Sequence, residues 1–116
     1  MCGILGSIGQ FNNINKDSFH QALLKSNFRG PDYSNSHNFI SSNNQIFLGH
    51  NRLSIIDLNP TGNQPKESHS KNNMIIFNGE IYNHIELRKK FPNDFAWASN
   101  SDTETLIELI EKFGIA

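Results

Sequence analysis

An α+β layered domain with mainly antiparallel pairing is the architecture this sequence predicts, and three observations predict it. Short apolar runs alternate with clusters of Asn, Ser, Gly and Pro, the pattern of strands joined in hairpins. Helical periodicity is confined to three stretches, near residues 17–27, 84–90 and 102–113. The chain has 116 residues, the length of one domain, and its 36% hydrophobic content suffices for one core.

Each element follows in order. Residues 3–9, Gly-Ile-Leu-Gly-Ser-Ile-Gly, read as a short buried strand. Asp17 is the expected N-cap of a helix to about Asn27, with Phe19, Ala22 and Leu23 on one face. Arg29-Gly30-Pro31-Asp32 ends it, because proline disfavours helix at the residue before it. Two strands, 38–41 and 45–49, flank Ser42-Asn43-Asn44 as a hairpin, and the second continues through His50 to Asp57. Met74-Ile75-Ile76-Phe77 is the expected central strand, ending at Asn78-Gly79, a pair that favours a backbone with φ > 0. Asn83 with Glu86 opens a helix over 84–90, and Phe95-Ala96-Trp97-Ala98 reads as a strand. Ser101-Asp102-Thr103-Glu104 has the form of a capping box. It opens a helix with Leu106, Leu109, Ile110 and Phe113 on one face and Gly114 as its stop.

Composition excludes several function classes. Ten basic and eleven acidic residues give a net charge of −1, with no basic stripe to recruit nucleic acid. No apolar run approaches the ~18 residues of a membrane span, and a single cysteine cannot form an internal disulfide. No signal-peptide pattern is present, so a cytoplasmic protein is expected. His20, His37, His50, His69 and His84 show no i, i+3 or i, i+4 pair, which argues against a metal site, and there is no glycine-rich phosphate loop.

The chemistry gathers on four polar positions at element ends: Cys2, Arg52, Asn78-Gly79-Glu80 and Asp102. Removal of Met1 would leave Cys2 with a thiol and an α-amine, a nucleophile and a base within one residue. A thiol beside its own base is the requirement for covalent acyl transfer. Arg52 suits a substrate carboxylate as a bidentate fork, and Asp102 suits an ammonium. The Asn78 side-chain amide and the Gly79 N–H would serve an oxyanion. Plainer readings stand beside these: a surface ion pair for Arg52, an ordinary turn at Asn78-Gly79, a helix-dipole carboxylate at Asp102 and a solvated edge residue at Glu80.

Six blocks in order resemble one family: MCGI at 1–4, RGPD at 29–32, LGHNRLSIID at 48–57, GNQP at 62–65, FNGEIYNH at 77–84 and SDTE at 101–104. The chain is similar throughout to the glutamine-hydrolysing half of class II glutamine amidotransferases, within the N-terminal nucleophile hydrolases. It looks most like the glutaminase domain of asparagine synthase. Sister amidotransferases tend to carry Trp or Tyr followed by Ser/Ala-Thr after the arginine, where this chain has Leu53-Ser54-Ile55.

The resemblance implies a layered αββα sandwich, incomplete at its C-terminal end, with residues 1–116 as the N-terminal part of a type 2 glutamine amidotransferase domain. Cys2 is implied as nucleophile, with Asn78 and Gly79 as the oxyanion hole. Arg52, Leu53, Ser54, Ile55 and Ile56 are implied around the glutamine carboxylate, and Glu80 and Asp102 around its ammonium. Glutamine is the implied substrate. No cofactor is expected in this segment, since ATP and Mg belong to a synthetase domain that is missing. The partners left open are a separate synthetase chain and a second copy. An inactive or partner-dependent remnant, and an amidotransferase acting on a surface-polysaccharide sugar, are the alternative functions.

Overall fold

The computed structural model describes residues 1–10, 13–55 and 58–115, and the chain is α+β. It divides into two compact units, with the boundary between Ser54 and Ile55. The first holds strand β1 (Gly3–Gln10), helix α1 (Lys16–Lys25), a 3₁₀ turn at Asn27–Arg29, and strands β2 (Tyr33–Ser41) and β3 (Asn44–Arg52). The strand order is β1-β3-β2, antiparallel throughout, with Gly3 opposite Asn51 and Tyr33 opposite Arg52.

Strand alternation puts Phe47, Gly49 and Asn51 on the face that meets α1. Phe19 and Leu23 of α1 and Phe47 are buried there, with the two phenylalanine rings 5.1 Å apart. Gly49 has no side chain because a Cβ would stand 3.0 Å from the Leu23 methyl carbons. On the other face Ile4 and Ile8 are 49% and 68% exposed. β1 is therefore buried on one side only, a correction to the fully buried strand its apolar run suggested. The helix cap also differs. Asn15, not Asp17, is the N-cap, its Oδ1 accepting from the N–H groups of Asp17 and Ser18.

The hairpin turn is two residues long. Ser42 and Asn43 have φ of 48° and 68°, the positive values a tight turn between right-twisted strands demands. β2 begins at Tyr33 rather than Asn38, because the ladder with β3 carries the polar stretch Ser34–His37 into the sheet without apolar alternation. β3 ends at Arg52 instead of continuing to Asp57. Past Arg52, side chains take the main-chain donors: Leu53 N–H reaches Cys2 Sγ and Ser54 N–H reaches Asp32 Oδ2. The expected continuation through Ile56 and Asp57 lies outside the described residues.

The second unit holds a 3₁₀ turn at Pro60–Gly62, strands β4 (Lys66–Glu67) and β5 (Met74–Ile75), and helices α2 (His84–Lys90) and α3 (Asp102–Phe113). Three expectations are corrected here. The run 74–77 is not a central strand: β5 has two residues, paired antiparallel with β4, and beyond it the Gln64 side chain takes both main-chain groups of Phe77. The stretch 95–98 forms no strand, since the Ala98 and Ser99 N–H groups go to the Glu104 carboxylate. Nor is there a capping box. Ser101 Oγ accepts from the Thr103 N–H as an N-cap should, but Glu104 turns to Ala98 and Ser99 instead of back to Ser101.

The face of α3 is a further correction. Thr103, Glu104, Ile107 and Glu108 are buried, whereas Phe113 is 55% exposed and Leu106, Leu109 and Ile110 are only half-buried. The buried stripe is mostly polar because main-chain N–H groups of Ala98, Ser99 and His69 meet Glu104 and Glu108, while Ile107 is buried beside them. Its stop is as expected: Gly114, at φ 79°, donates its N–H to Ile110 O.

Candidate active site

In the first unit the thiol is placed by the β1–β3 register. Gly3 pairs with Asn51, so the residue before Gly3 lies beside the chain leaving β3. Cys2 Sγ accepts from the Leu53 N–H at 3.3 Å and lies 3.7 Å from Leu53 O, to which the thiol can donate. Arg29 Nε donates to the Cys2 carbonyl at 3.3 Å. Behind this corner Gly30 packs on β3 so closely that a Cβ would sit 2.2 Å from Asn51 O. Only glycine fits.

Asn51 and Asp32 tie the same corner to its surroundings. The Asn51 amide donates to Leu23 O and Ser26 Oγ, both at 2.8 Å, so the end of α1 is fastened to the end of β3. The Asp32 N–H donates to Arg52 O at 3.0 Å, and its carboxylate accepts from the Ser54 N–H at 2.7 Å. Arg52 itself is 7% exposed. The 29–32 block and residues 48–54 are thus one structural object, which sequence alone could not join.

In the second unit Asn78, Gly79 and Glu80 form an exposed loop held at both ends. Before it, the Phe77 N–H donates to Gln64 Oε1 at 2.6 Å, and Gln64 Nε2 donates to Phe77 O at 3.3 Å and Thr103 Oγ1 at 3.2 Å. After it, the Ile81 N–H donates to Asp102 Oδ2 at 2.8 Å. Asp102 is 5% exposed at the start of α3, and its carboxylate is engaged with this loop. The Phe77 ring lies over Gly79, where a Cβ would come within 2.7 Å of Cζ. Neither Asn78 nor Gly79 has a positive φ and no strand follows them. The expectation of a left-handed Asn-Gly backbone is corrected: side chains at both ends impose the loop, not its own turn chemistry.

Cys2, Leu53 and Ser54 are therefore brought together in the first unit, with Arg52 the last residue of β3, and Asn78, Gly79 and Glu80 are joined to Asp102 in the second. Ile55 opens the second unit 63% exposed, and Ile56 lies outside the described residues. Sequence reasoning assigned no role to Arg29, Asp32, Asn51 or Gln64. The available signal was that each belongs to one of the quoted blocks.

A second polar cluster joins side chains up to 35 positions apart, and of these only Glu104 belonged to a sequence motif. Glu104, with no exposed side chain, accepts from Ala98 N–H and Ser99 N–H at 2.8 Å and from Ser99 Oγ at 2.6 Å. His69 Nε2 lies 3.0 Å away and Arg88 3.5 Å. Burial pushes the Glu104 carboxyl up, but the Ser99 hydroxyl, the Ala98 and Ser99 N–H groups and the Lys66 charge outweigh it. The group is held below its ordinary 4.5. Arg88 stacks 4.3 Å above Trp97 and donates to Thr105 Oγ1, Ser99 O and Ser101 O. Among the described residues no cluster of His, Cys, Asp and Glu could hold a metal ion, and no helix is long and apolar enough to cross a membrane.

A half-buried thiol beside the first strand and an Asn-Gly loop clamped by Gln64 and Asp102 sit on an α+β chain whose residues 1–116 match the model of the glutamine amidotransferase domain; the chain belongs to that family. Among particular relatives it is similar to asparagine synthetase [glutamine-hydrolyzing] 1 of Lotus japonicus, 35% identical over 116 residues, covering 98% of this chain and 19% of the relative. The asparagine synthetase [glutamine-hydrolyzing] of Asparagus officinalis is 36% identical with the same coverage. The amidase chry2 of Gibberella zeae is 38% identical over 88 residues, covering 76% of this chain and 13% of the relative. The chain thus spans about a fifth of the length of the curated synthetases it matches.

Proposed function

We propose that the chain is the glutamine-hydrolysing segment of an asparagine synthase. Once Met1 is removed, the Cys2 thiol passes its proton to its own α-amine and attacks the side-chain carbonyl of glutamine. The tetrahedral oxyanion is held by the Asn78 amide and the Gly79 N–H, with Arg52 and the backbone from Leu53 to Ile56 at the substrate carboxylate. Glu80 and Asp102 serve the substrate ammonium. Collapse expels ammonia, protonated from the α-ammonium, and leaves a γ-glutamyl thioester. Water then cleaves the thioester to glutamate and free thiol.

The observation that carries this reading is Cys2 Sγ at 3.3 Å from the Leu53 N–H, beside Arg52, within a chain matched from end to end by the amidotransferase model. The layered αββα sandwich is the fold we infer for the whole domain, and the cytoplasm is the compartment that suits its lone reduced thiol. The ammonia is for amidation of aspartate, the outcome that the relatives' names support, by a synthetase activity that uses ATP and Mg outside residues 1–116.

The test is glutamate release from glutamine by the purified chain, with mass spectrometry of its first residue. Release is expected only from protein that begins at Cys2, and Cys2→Ala should abolish it. Equal rates from Cys2→Ala and the natural chain would overturn the proposal. The second reading, a partner-dependent product, draws on the open sheet face bearing Ile4 and Ile8, 49% and 68% exposed. Aggregation without cooperative unfolding would favour it.

A further inference from the structure

We propose that Gln64 is a positioning residue of glutamine hydrolysis, acting by holding the Asn78-Gly79 loop in the shape an oxyanion requires; this rests on the role proposed above for that loop. Gln64 is 6% exposed, the third residue of the 62–65 block, and its side chain carries no charge. Its carboxamide engages three groups. Oε1 takes the Phe77 N–H at 2.6 Å, while Nε2 donates to Phe77 O at 3.3 Å and Thr103 Oγ1 at 3.2 Å.

A side-chain amide that pairs with both main-chain groups of one residue imitates a neighbouring strand. It fixes Phe77 as a ladder would, but for one residue only, so the chain is free to leave the ladder at Asn78. The bond to Thr103 anchors this mimic to the first turn of α3. One residue earlier on the same turn, Asp102 takes the Ile81 N–H. The loop is therefore suspended between two adjacent side-chain contacts of a single helix end, with Gln64 as the adaptor on one side. Oxyanion donors act by being aimed beforehand, and a displacement of about 1 Å can cost about a hundredfold in rate.

The proposal separates from a merely structural role because formation and hydrolysis of the thioester both pass through an oxyanion, whereas alkylation of the thiol does not. Gln64→Met removes donor and acceptor at similar length, and Gln64→Glu keeps the acceptor for the Phe77 N–H but loses the donor. In the full chain, Gln64→Met should lower kcat for glutamine hydrolysis about tenfold to a hundredfold, with KM within about twofold. Affinity for the γ-semialdehyde of glutamate should fall by the same factor as kcat. Its thiol adduct forms one C–S bond as the carbonyl π bond breaks, the proton given up by the thiol ends on that oxygen, and the oxygen lies where the tetrahedral oxyanion forms. Alkylation of Cys2 by iodoacetamide, a displacement at carbon with no oxyanion, should keep its rate, and Gln64→Glu should fall between the two.

Unchanged kcat and semialdehyde affinity in folded Gln64→Met would overturn the proposal, and so would an alkylation rate that falls along with kcat. Should Gln64→Met not fold, Thr103→Val removes only the Oγ1 partner and should lower kcat about two- to fivefold at unchanged KM; no change there overturns the idea equally. If the natural chain releases no Cys2-dependent glutamate, the function proposed above fails by itself. Hydrogen exchange then decides on Gln64: faster exchange of the Phe77 and Gly79 amides in the variant is expected, and unaltered exchange refutes the clamp.

Discussion

Replacing Glu104 by Gln should be among the most damaging single substitutions in the second unit. Two N–H groups, a hydroxyl and an imidazole nitrogen lie within 3.0 Å of the carboxylate, and Arg88 stands at 3.5 Å. The oxygens divide them: Ala98 N–H and His69 on Oε1, Ser99 N–H, Ser99 Oγ and Arg88 on Oε2. A carboxamide has one acceptor oxygen, so its NH₂ must face a backbone N–H that cannot turn away. Losing two charge-assisted bonds at about 1.5–3 kcal/mol each, in a fully buried site, predicts a loss of about 3–6 kcal/mol.

That is a large share of what a chain of this size possesses, roughly 0.05–0.15 kcal/mol per residue. Urea unfolding at pH 7 measures it, with fluorescence of Trp97, the only tryptophan, which lies under Arg88 in the same cluster. The pH dependence gives an independent check. The folded carboxyl is held below 4.5, so its contribution is fully present above that value and is lost as pH falls through the lower folded value. Natural protein should therefore weaken on acidification below about 4.5, and Glu104→Gln should show a flatter acid limb. A variant within about 1 kcal/mol of the natural chain at pH 7, or an identical acid limb, would refute the reasoning.

Two further variants test the first unit. Gly30→Ala must push its new carbon away from Asn51 O, 2.2 Å distant, and from the neighbouring backbone carbons of Asn51 and Arg52. With no flexible side chain to yield, a loss of about 2–4 kcal/mol in a thermal or urea melt is expected, and unaltered stability would show the contact misread. Ser42→Asn with Asn43→Gly places residues suited to positive φ where φ is 48° and 68°, and should raise stability by about 1 kcal/mol, read as a higher urea midpoint; a lower midpoint would contradict the turn geometry.

Much of the local order was legible in the chain. The helix near residue 17, the Ser42-Asn43 turn, and α3 with its Gly114 stop all follow from short-range chemistry, and they stand within a residue or two of where that chemistry puts them; α2 stands where expected, although the Asn83 side chain does not cap it. Errors came where an apolar run was read as a strand. Met74–Phe77 and Phe95–Ala98 have the composition of strands, yet Gln64 and Glu104 take the main-chain donors that a ladder would have used. The apolar stripe of α3 misled for a related reason: Glu104 and Glu108 are buried because donors from Ala98, Ser99 and His69 meet them.

The order of the blocks, the thiol at position 2 and the glycines at 30 and 79 are written in the chain itself, since each depends on the identity of one residue and its immediate neighbours. Tertiary structure alone decided that Cys2 faces Leu53, that Gln64 and Asp102 hold the two ends of the 78–80 loop, and that Asn51 fastens helix to sheet. These are pairings of polar groups across 13 to 51 positions. A hydrogen bond constrains distance and direction in space, not separation along the chain, so no local pattern of residues announces it.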